Sequence, residues 1–202
     1  MIETESLPNP IIGKPIEELL CDENNVPVFI PSCCSFIKLL IKTQGIFRIP
    51  GDQKMLDELG RILNFPFNSV PPCASVHDVA SFLKLWLTSL PVPLIVPTVF
   101  NQYFTRDTDP HCVFDVLTHL PDRNRKTLAY LFSTIKMISD NSKFNQMTIG
   151  NLALCIGIAL TQTAKGLSRS LPFSFFFTTC CRLFNEDHTD FVSDFSLIQS
   201  PG

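Results

Sequence analysis

Ser75-Val76-His77-Asp78-Val79-Ala80-Ser81-Phe82-Leu83-Lys84-Leu85-Trp86-Leu87-Thr88-Ser89-Leu90-Pro91-Val92-Pro93 is the stretch that decides the fold class. Val76, Val79, Ala80, Leu83, Trp86, Leu87 and Leu90 recur at three- and four-residue spacing, which stacks them on one side of a helix. His77, Ser81, Lys84 and Thr88 fall on the opposite, polar stripe. Ser75 with Asp78 three residues on reads as a capping-box-like start, and Pro91 and Pro93 stop the helix.

The same period recurs on both sides. N-terminally, Ser32 is a candidate cap for a helix running to about Thr43, with Cys33, Phe36, Ile37, Leu40 and Ile41 as its stripe and Gly45 as its terminator. A second helix starts at Asp52 and carries Met55, Leu56, Leu59, Ile62 and Leu63. The proline-punctuated run 65–73 reads as a loop. C-terminally, Asp122 to Ser139 presents Leu128, Leu131, Phe132, Ile135 and Ile138 on one face. Thr148 to Leu160 is apolar almost all round, the pattern of a central buried helix. A last helix is expected in 173–184. No run of alternating strand residues competes with these, so the expected fold class is all-α, a single helical bundle around one core.

Residues 1–31 read as irregular, with 1–11 as an N-terminal lead-in, 12–185 as the domain, and 186–202 as a C-terminal tail or final short segment. Composition narrows the class further. Of 202 residues, 45% are hydrophobic and only 17% charged, which excludes a disordered chain. A net charge of -3 without a Lys/Arg cluster argues against nucleic acid and against an electrostatic membrane anchor. No apolar stretch reaches the roughly 18–20 residues of a membrane span, and residues 1–10 carry no signal-peptide core, so direct membrane insertion is not expected.

Eight cysteines form two adjacent pairs, Cys33-Cys34 and Cys180-Cys181, plus Cys21, Cys73, Cys112 and Cys155. No C-x-x-C spacing occurs and most sit in apolar runs, so they read as small hydrophobes in a reducing compartment, with no metal site. The four His residues, 77, 111, 119 and 188, are scattered and read as surface residues. There is no nucleophile elbow, zinc-protease motif or P-loop. A chain of this kind is a binding module, or one that lends a single group to a partner's active site.

Gly45-Ile46-Phe47-Arg48-Ile49-Pro50-Gly51 is the segment suited to that second role. Ile46, Phe47 and Ile49 can bury and anchor the loop, leaving Arg48 to point outward. A guanidinium on a rigid loop can meet two phosphate or carboxylate oxygens at once, whereas a plain surface arginine in a turn is the alternative. Lys84 reads either as a solvated residue on a helix face or as a groove wall with Ser81 and Thr88. Asn151, in the first turn of an apolar helix, reads either as a local backbone partner or as an interface residue.

Three blocks carry a family resemblance. Lys42–Gly51 (KTQGIFRIPG) resembles the arginine-finger loop of RhoGAP domains. Leu83–Leu94 and the run from Asn145-Gln146-Met147-Thr148 to Asn151-Leu152-Ala153 resemble two further motifs of that family, in the family's order and spacing. The resemblance covers about residues 12–185. It implies an all-helical activator of Rho-family small GTPases in their GTP-bound form, cytoplasmic and without a self-contained active site. Arg48 would be the finger that enters the partner's nucleotide site. Gly45, Phe47 and Lys84 would support that loop, and Asn151 would contact the GTPase. No cofactor is implied, because the partner holds magnesium and GTP. Three departures stand out: Thr88 where the pattern has Arg, Gln146 where Lys is common, and Ile158 where it has Pro. They keep open an alternative in which the same fold is a weak or inactive, scaffolding binder of GTPases.

Overall fold

A computed structural model describes residues 11–64, 69–103, 110–162 and 171–183. Those residues form α-helices α1 (Phe29–Leu39), α2 (Gln53–Ile62), α3 (Val76–Ser89), α4 (Pro97–Tyr103), α5 (Pro110–His119), α6 (Asp122–Asp140), α7 (Ser142–Asn145), α8 (Ile149–Thr161) and α9 (Leu171–Leu183). A 3₁₀ turn at Ile16–Glu18 precedes them, and the described residues contain no strand beyond a single Cys21–Pro27 bridge. The chain is all-α, as its periodicity predicts. The expected lead-in 1–11, all but its last residue, and the expected tail 186–202 lie outside the described residues.

α3 occupies the middle. It packs against α1, α2 and α8, while α6 packs against α1, α8 and α9. Phe82 and Trp86 of α3 are fully buried, and Phe29 of α1 meets both edge-on at 5.8 and 5.1 Å between ring centroids. On the far side Phe132 and Phe177 meet at 5.2 Å, and Phe100 and Phe176 at 5.1 Å. Edge-to-face pairs of this kind add to the burial that drives the fold.

Helix ends follow local chemistry where a side chain can reach. Asp52 accepts from the Met55 amide to start α2. Ser75 and Asp78 form the full capping box of α3. Thr148 accepts from the Asn151 amide to start α8. At the other end of α3, Gln162 donates from Nε2 to the carbonyls of Leu87 (3.0 Å) and Leu90 (2.7 Å). This cap comes from 72 residues away and closes carbonyls that helix geometry leaves open. Asn124 donates to Leu94 O at 2.9 Å, tying the link after α3 to α6. Arg123 holds the irregular segment ahead of α1, donating to Asn25 Oδ1 and Ile16 O, both at 2.9 Å.

Four expectations need correction. α1 starts at Phe29, not at Ser32, which lies in its second turn. Pro31 sits at the third helical position, where no intrahelical amide bond is required. α1 also ends at Leu39, so Gly45 is not its terminator. α8 is not buried all round: Leu152, Ala153, Ile156 and Leu160 face the core, but Asn151, Leu154, Cys155 and Ile158 form an accessible flank, with Leu154 47% exposed. Finally, α4 and α5 arise in a stretch with no predicted helix; they pair with each other, and α5 also packs on α9.

None of the eight cysteines is in a disulfide, and Cys33, Cys34, Cys180 and Cys181 are buried. Burial pushes the Cys34 thiol up to about 11, so it stays protonated as a core hydrophobe. Cys73 is exposed and departs from the hydrophobe reading. His111 and His119 are exposed as expected, and His188 lies outside the described residues. His77 is only half-exposed, with a buried Nδ1.

Two measurements test this packing. Gln162→Ala uncaps α3 and should lower stability by about 1–2 kcal/mol, seen as a lower urea midpoint at unchanged slope. Asp78 supplies the second. Burial works to raise its carboxyl, but the Ser75 hydroxyl, the Asp52 and Ser75 amides and nearby His77 outweigh it and hold the group below the ordinary carboxylate value. A carboxyl depressed by folding contributes stability above its unfolded pKa and loses it as pH falls through the folded value. Thermal melts taken into the acid range should show that loss, and Asp78→Asn, which cannot titrate, should show a shallower one.

Candidate functional site

The loop between α1 and α2 carries the segment singled out by sequence. Its backbone is unusual at two points: Gly45 has φ +73° and Phe47 has φ +67°. Glycine takes that conformation freely, whereas a left-handed aromatic residue costs of order 1–3 kcal/mol. The Phe47 ring is buried, and that burial returns about 1.5–3 kcal/mol, so strain and burial roughly cancel. The tethers on the loop therefore decide whether it keeps its shape.

Those tethers come from three directions. The Gly45 amide donates to Asn145 O at 2.9 Å, and Gly45 O in turn accepts from the Arg48 (2.8 Å) and Ile49 (2.9 Å) amides. Lys84 of α3 donates from Nζ to Phe47 O at 3.1 Å. At the far end the Gly51 amide donates to Ser81 Oγ at 2.9 Å, and the Asp52 amide to Asp78 Oδ1 at 2.7 Å. With Ile46 and Phe47 turned inward, Arg48 is exposed. Among the described residues nothing forms a hydrogen bond or ion pair with its guanidinium. Ile49 is 41% exposed instead of buried; its Cδ1 folds back over Gly45, where a Cβ would stand 2.7 Å from it.

Lys84, the second cation of the site, is half-buried and committed to the loop carbonyl. One turn further along α3, Thr88 is exposed, and its hydroxyl donates back to Lys84 O and Leu85 O at 2.9 and 3.0 Å. It adds no charge to the face. The flank of α8 borders the same area. The Cys155 thiol there feels the charges of Lys84 and Arg48, although burial pushes it up more than they pull it down. Asn151 is half-buried on that flank, its Nδ2 donating to Gln146 O at 3.3 Å. Gln146 is itself left-handed at φ +61°. Ile158 lies two turns beyond Asn151, half-exposed.

Sequence-predicted Arg48, Gly45, Phe47 and Lys84 thus share one loop and its contacts, and Asn151 stands on the neighbouring helix. Asn145 is the residue that sequence reading left without a role. Fully buried, it donates from Nδ2 to Ile41 O (2.9 Å) and Ile138 O (2.8 Å) and accepts at Oδ1 from the Met147 amide (2.8 Å). It joins the end of α6, the segment after α1 and the entry to α8. Its place at the head of the third sequence block was the available signal. The site has a free cation on a tethered loop, a second cation gripping that loop, and a largely apolar flank. Such an arrangement can bind and stabilise an anionic group brought by a partner. Among the described residues no group of His, Cys, Asp and Glu could hold a metal ion, and no helix is long and apolar enough to cross a membrane.

Known proteins share this architecture. Residues 27–165 match the model of the RhoGAP domain. Rho GTPase-activating protein 20 of Rattus norvegicus is 28% identical over 217 residues, covering 96% of this chain and 18% of that protein. GTPase activating protein homolog 4 of Dictyostelium discoideum is 32% identical over 165 residues, covering 73% of this chain and 18% of that protein. The chain thus spans less than a fifth of these relatives' length. In fold it resembles human Rho GTPase activating protein 15, with a TM-score of 0.70 at 22% identity over 85% of this chain and 87% of that one. The BH domain from the GTPase regulator associated with focal adhesion kinase superposes with a TM-score of 0.66 at 24% identity, covering 83% and 93% of the two chains. With its helical order, its tethered arginine loop and a family match across most of its length, this chain belongs to the RhoGAP domain family.

Proposed function

We propose that this domain accelerates GTP hydrolysis by a Rho-family small GTPase, with Arg48 as an arginine finger. The observation that carries the reading is an exposed, unpaired guanidinium on a loop whose backbone is held on both sides. GTP hydrolysis spreads negative charge over the transferring phosphoryl group and the leaving oxygen. A cation delivered in trans stabilises that charge and is worth roughly 10³–10⁵ in rate. Arg48 would supply it, with the planar, permanently charged group that bidentate contact requires. Lys84, Phe47 and Gly45 would hold the finger loop, and Asn151 would meet the GTPase beside its nucleotide.

In this scheme magnesium, GTP and the water-orienting group belong to the GTP-bound partner, and the chain binds no nucleotide or metal of its own. The activity is that of a cytoplasmic activator, not of an enzyme with a complete active site. The unit that acts is the domain expected at 12–185. A second reading rests on Thr88: with no arginine there, α3 adds no charge one turn beyond Lys84, which is already committed to Phe47 O. On that reading the domain is a GTPase-binding scaffold with weak or no rate enhancement.

Single-turnover GTP hydrolysis by a panel of Rho-family GTPases separates the two. The wild-type chain should stimulate at least one member. Arg48→Ala should remove about 10³-fold or more of that stimulation while binding of the GTP-analogue form largely survives. Binding without stimulation by the wild-type chain would establish the scaffold. For Thr88→Arg, the expected outcome is complex formation about tenfold tighter, with a steeper dependence on salt, measured by titration at two ionic strengths.

A further inference from the structure

The loop that presents Arg48 touches α3 at more points than its lysine contact. Lys84 Nζ reaches Phe47 O, Ser81 Oγ receives the Gly51 amide, and Asp78 Oδ1 receives the Asp52 amide. Asp78, Ser81 and Lys84 are spaced by three residues, so they line one ridge of the helix. Arg48 lies between the first contact and the other two. The approach is close at the backbone as well: a Cβ on Gly51 would stand 2.6 Å from Asp78 Cα and 2.9 Å from Asp78 N. Only a glycine lets the loop lie directly on the helix there.

Asp78 is fixed in turn. Its second carboxylate oxygen accepts from the Ser75 amide at 2.8 Å and from the Ser75 hydroxyl at 2.7 Å. The same side chain therefore caps α3 and receives the end of the finger loop. α3 itself is seated by its buried Phe82 and Trp86, so the three contacts are fixed to the core.

We propose that Ser81 and Asp78 are positioning residues for Arg48: with Lys84 they make α3 a rail to which the outgoing half of the loop is fastened, and this fastening sets how far the guanidinium reaches. The proposal rests on the reading of Arg48 as a finger. Under that reading, a loop released at Gly51 still docks, because the docking face is unchanged. It delivers the cation with less certainty of position, and rate depends steeply on such placement. Ser81 and Asp78 act through the loop and touch no reacting atom.

Ser81→Ala is the mild test, since it deletes one acceptor and creates no clash. Ser81→Thr keeps a hydroxyl at the same place. Gln162→Ala weakens the other end of α3 and serves as a control for lost stability alone. Two readouts are needed. Amide hydrogen exchange across residues 45–52 reports the fastening without reference to any partner. The single-turnover rate at saturating chain, set against the Kd for the GTP-analogue-loaded GTPase, reports its effect on catalysis.

The proposal expects Ser81→Ala to speed exchange in that segment and to lower the saturated rate about five- to tenfold, the size of one lost hydrogen bond. Kd should change by less than about twofold, Ser81→Thr should restore both readouts, and Gln162→Ala should alter neither. Unchanged exchange in Ser81→Ala would overturn the fastening whatever the kinetics. Faster exchange with an unchanged saturated rate, or a rate loss equalled by Gln162→Ala, would overturn the positioning role. A wild-type chain that stimulates no GTPase would instead sink the finger reading on which the proposal rests, and the exchange result would still stand by itself.

Discussion

The contact between Lys84 Nζ and the Phe47 carbonyl joins the two halves of this molecule's logic. α3 is a core helix on one side, where Phe82, Leu83, Trp86 and Leu87 are buried, and a support on the other. The carbonyl that Lys84 holds belongs to a residue in the left-handed region, and that conformation turns the chain so that Phe47 goes in and Arg48 comes out. The left-handed backbone at that point is unfavourable by itself. The strain at residue 47 is offset by burial of its ring, and the direction of the following residue is held by hydrogen bonds on both sides.

Rigidity matters here because of what a lone cation can do in water. An exposed arginine on a mobile loop gains little from an anion, since solvent and salt screen the charge and the side chain loses freedom on binding. Fixing the loop beforehand removes part of that cost. The buried amide of Asn145 serves the same end from the opposite side, tying the segment after α1, the end of α6 and the entry to α8 into one junction beside Gly45. The apolar flank of Leu154 and Ile158 on α8 then lies beside a charged tip, a mixture suited to a protein partner more than to a small polar ligand.

The signals that could be read from the sequence were those with local causes. The period of α3, its Ser75 and Asp78 box, the Asp52 cap of α2 and the span of α6 all depend on residues within a few positions of one another, and each appears where the pattern puts it. Errors arose where the cause is distant or the local signal is ambiguous. Ser32 looked like a cap by residue type, just ahead of the apolar stripe, yet α1 starts three residues earlier and the proline in its first turn costs no bond. Ile49 looked like an anchor because it is apolar, yet it lies over Gly45 in solvent's reach. α8 looked buried throughout because its composition is apolar, while its neighbours cover only one side.

Sequence by itself determined the helical class and the approximate spans of α2, α3, α6 and α8, and it supplied Gly45, Phe47, Arg48, Lys84 and Asn151 as expected site residues, because periodicity, capping and motif spacing are properties of neighbouring residues. Tertiary structure decided how these residues meet. The grip of Lys84 on Phe47 spans 37 residues, that of Ser81 on Gly51 spans 30, and the Asn145 bond to Ile41 spans 104. Such pairings exist only after the helices have packed, since it is burial of the apolar faces that brings distant polar groups within hydrogen-bond reach and leaves the Arg48 guanidinium outside.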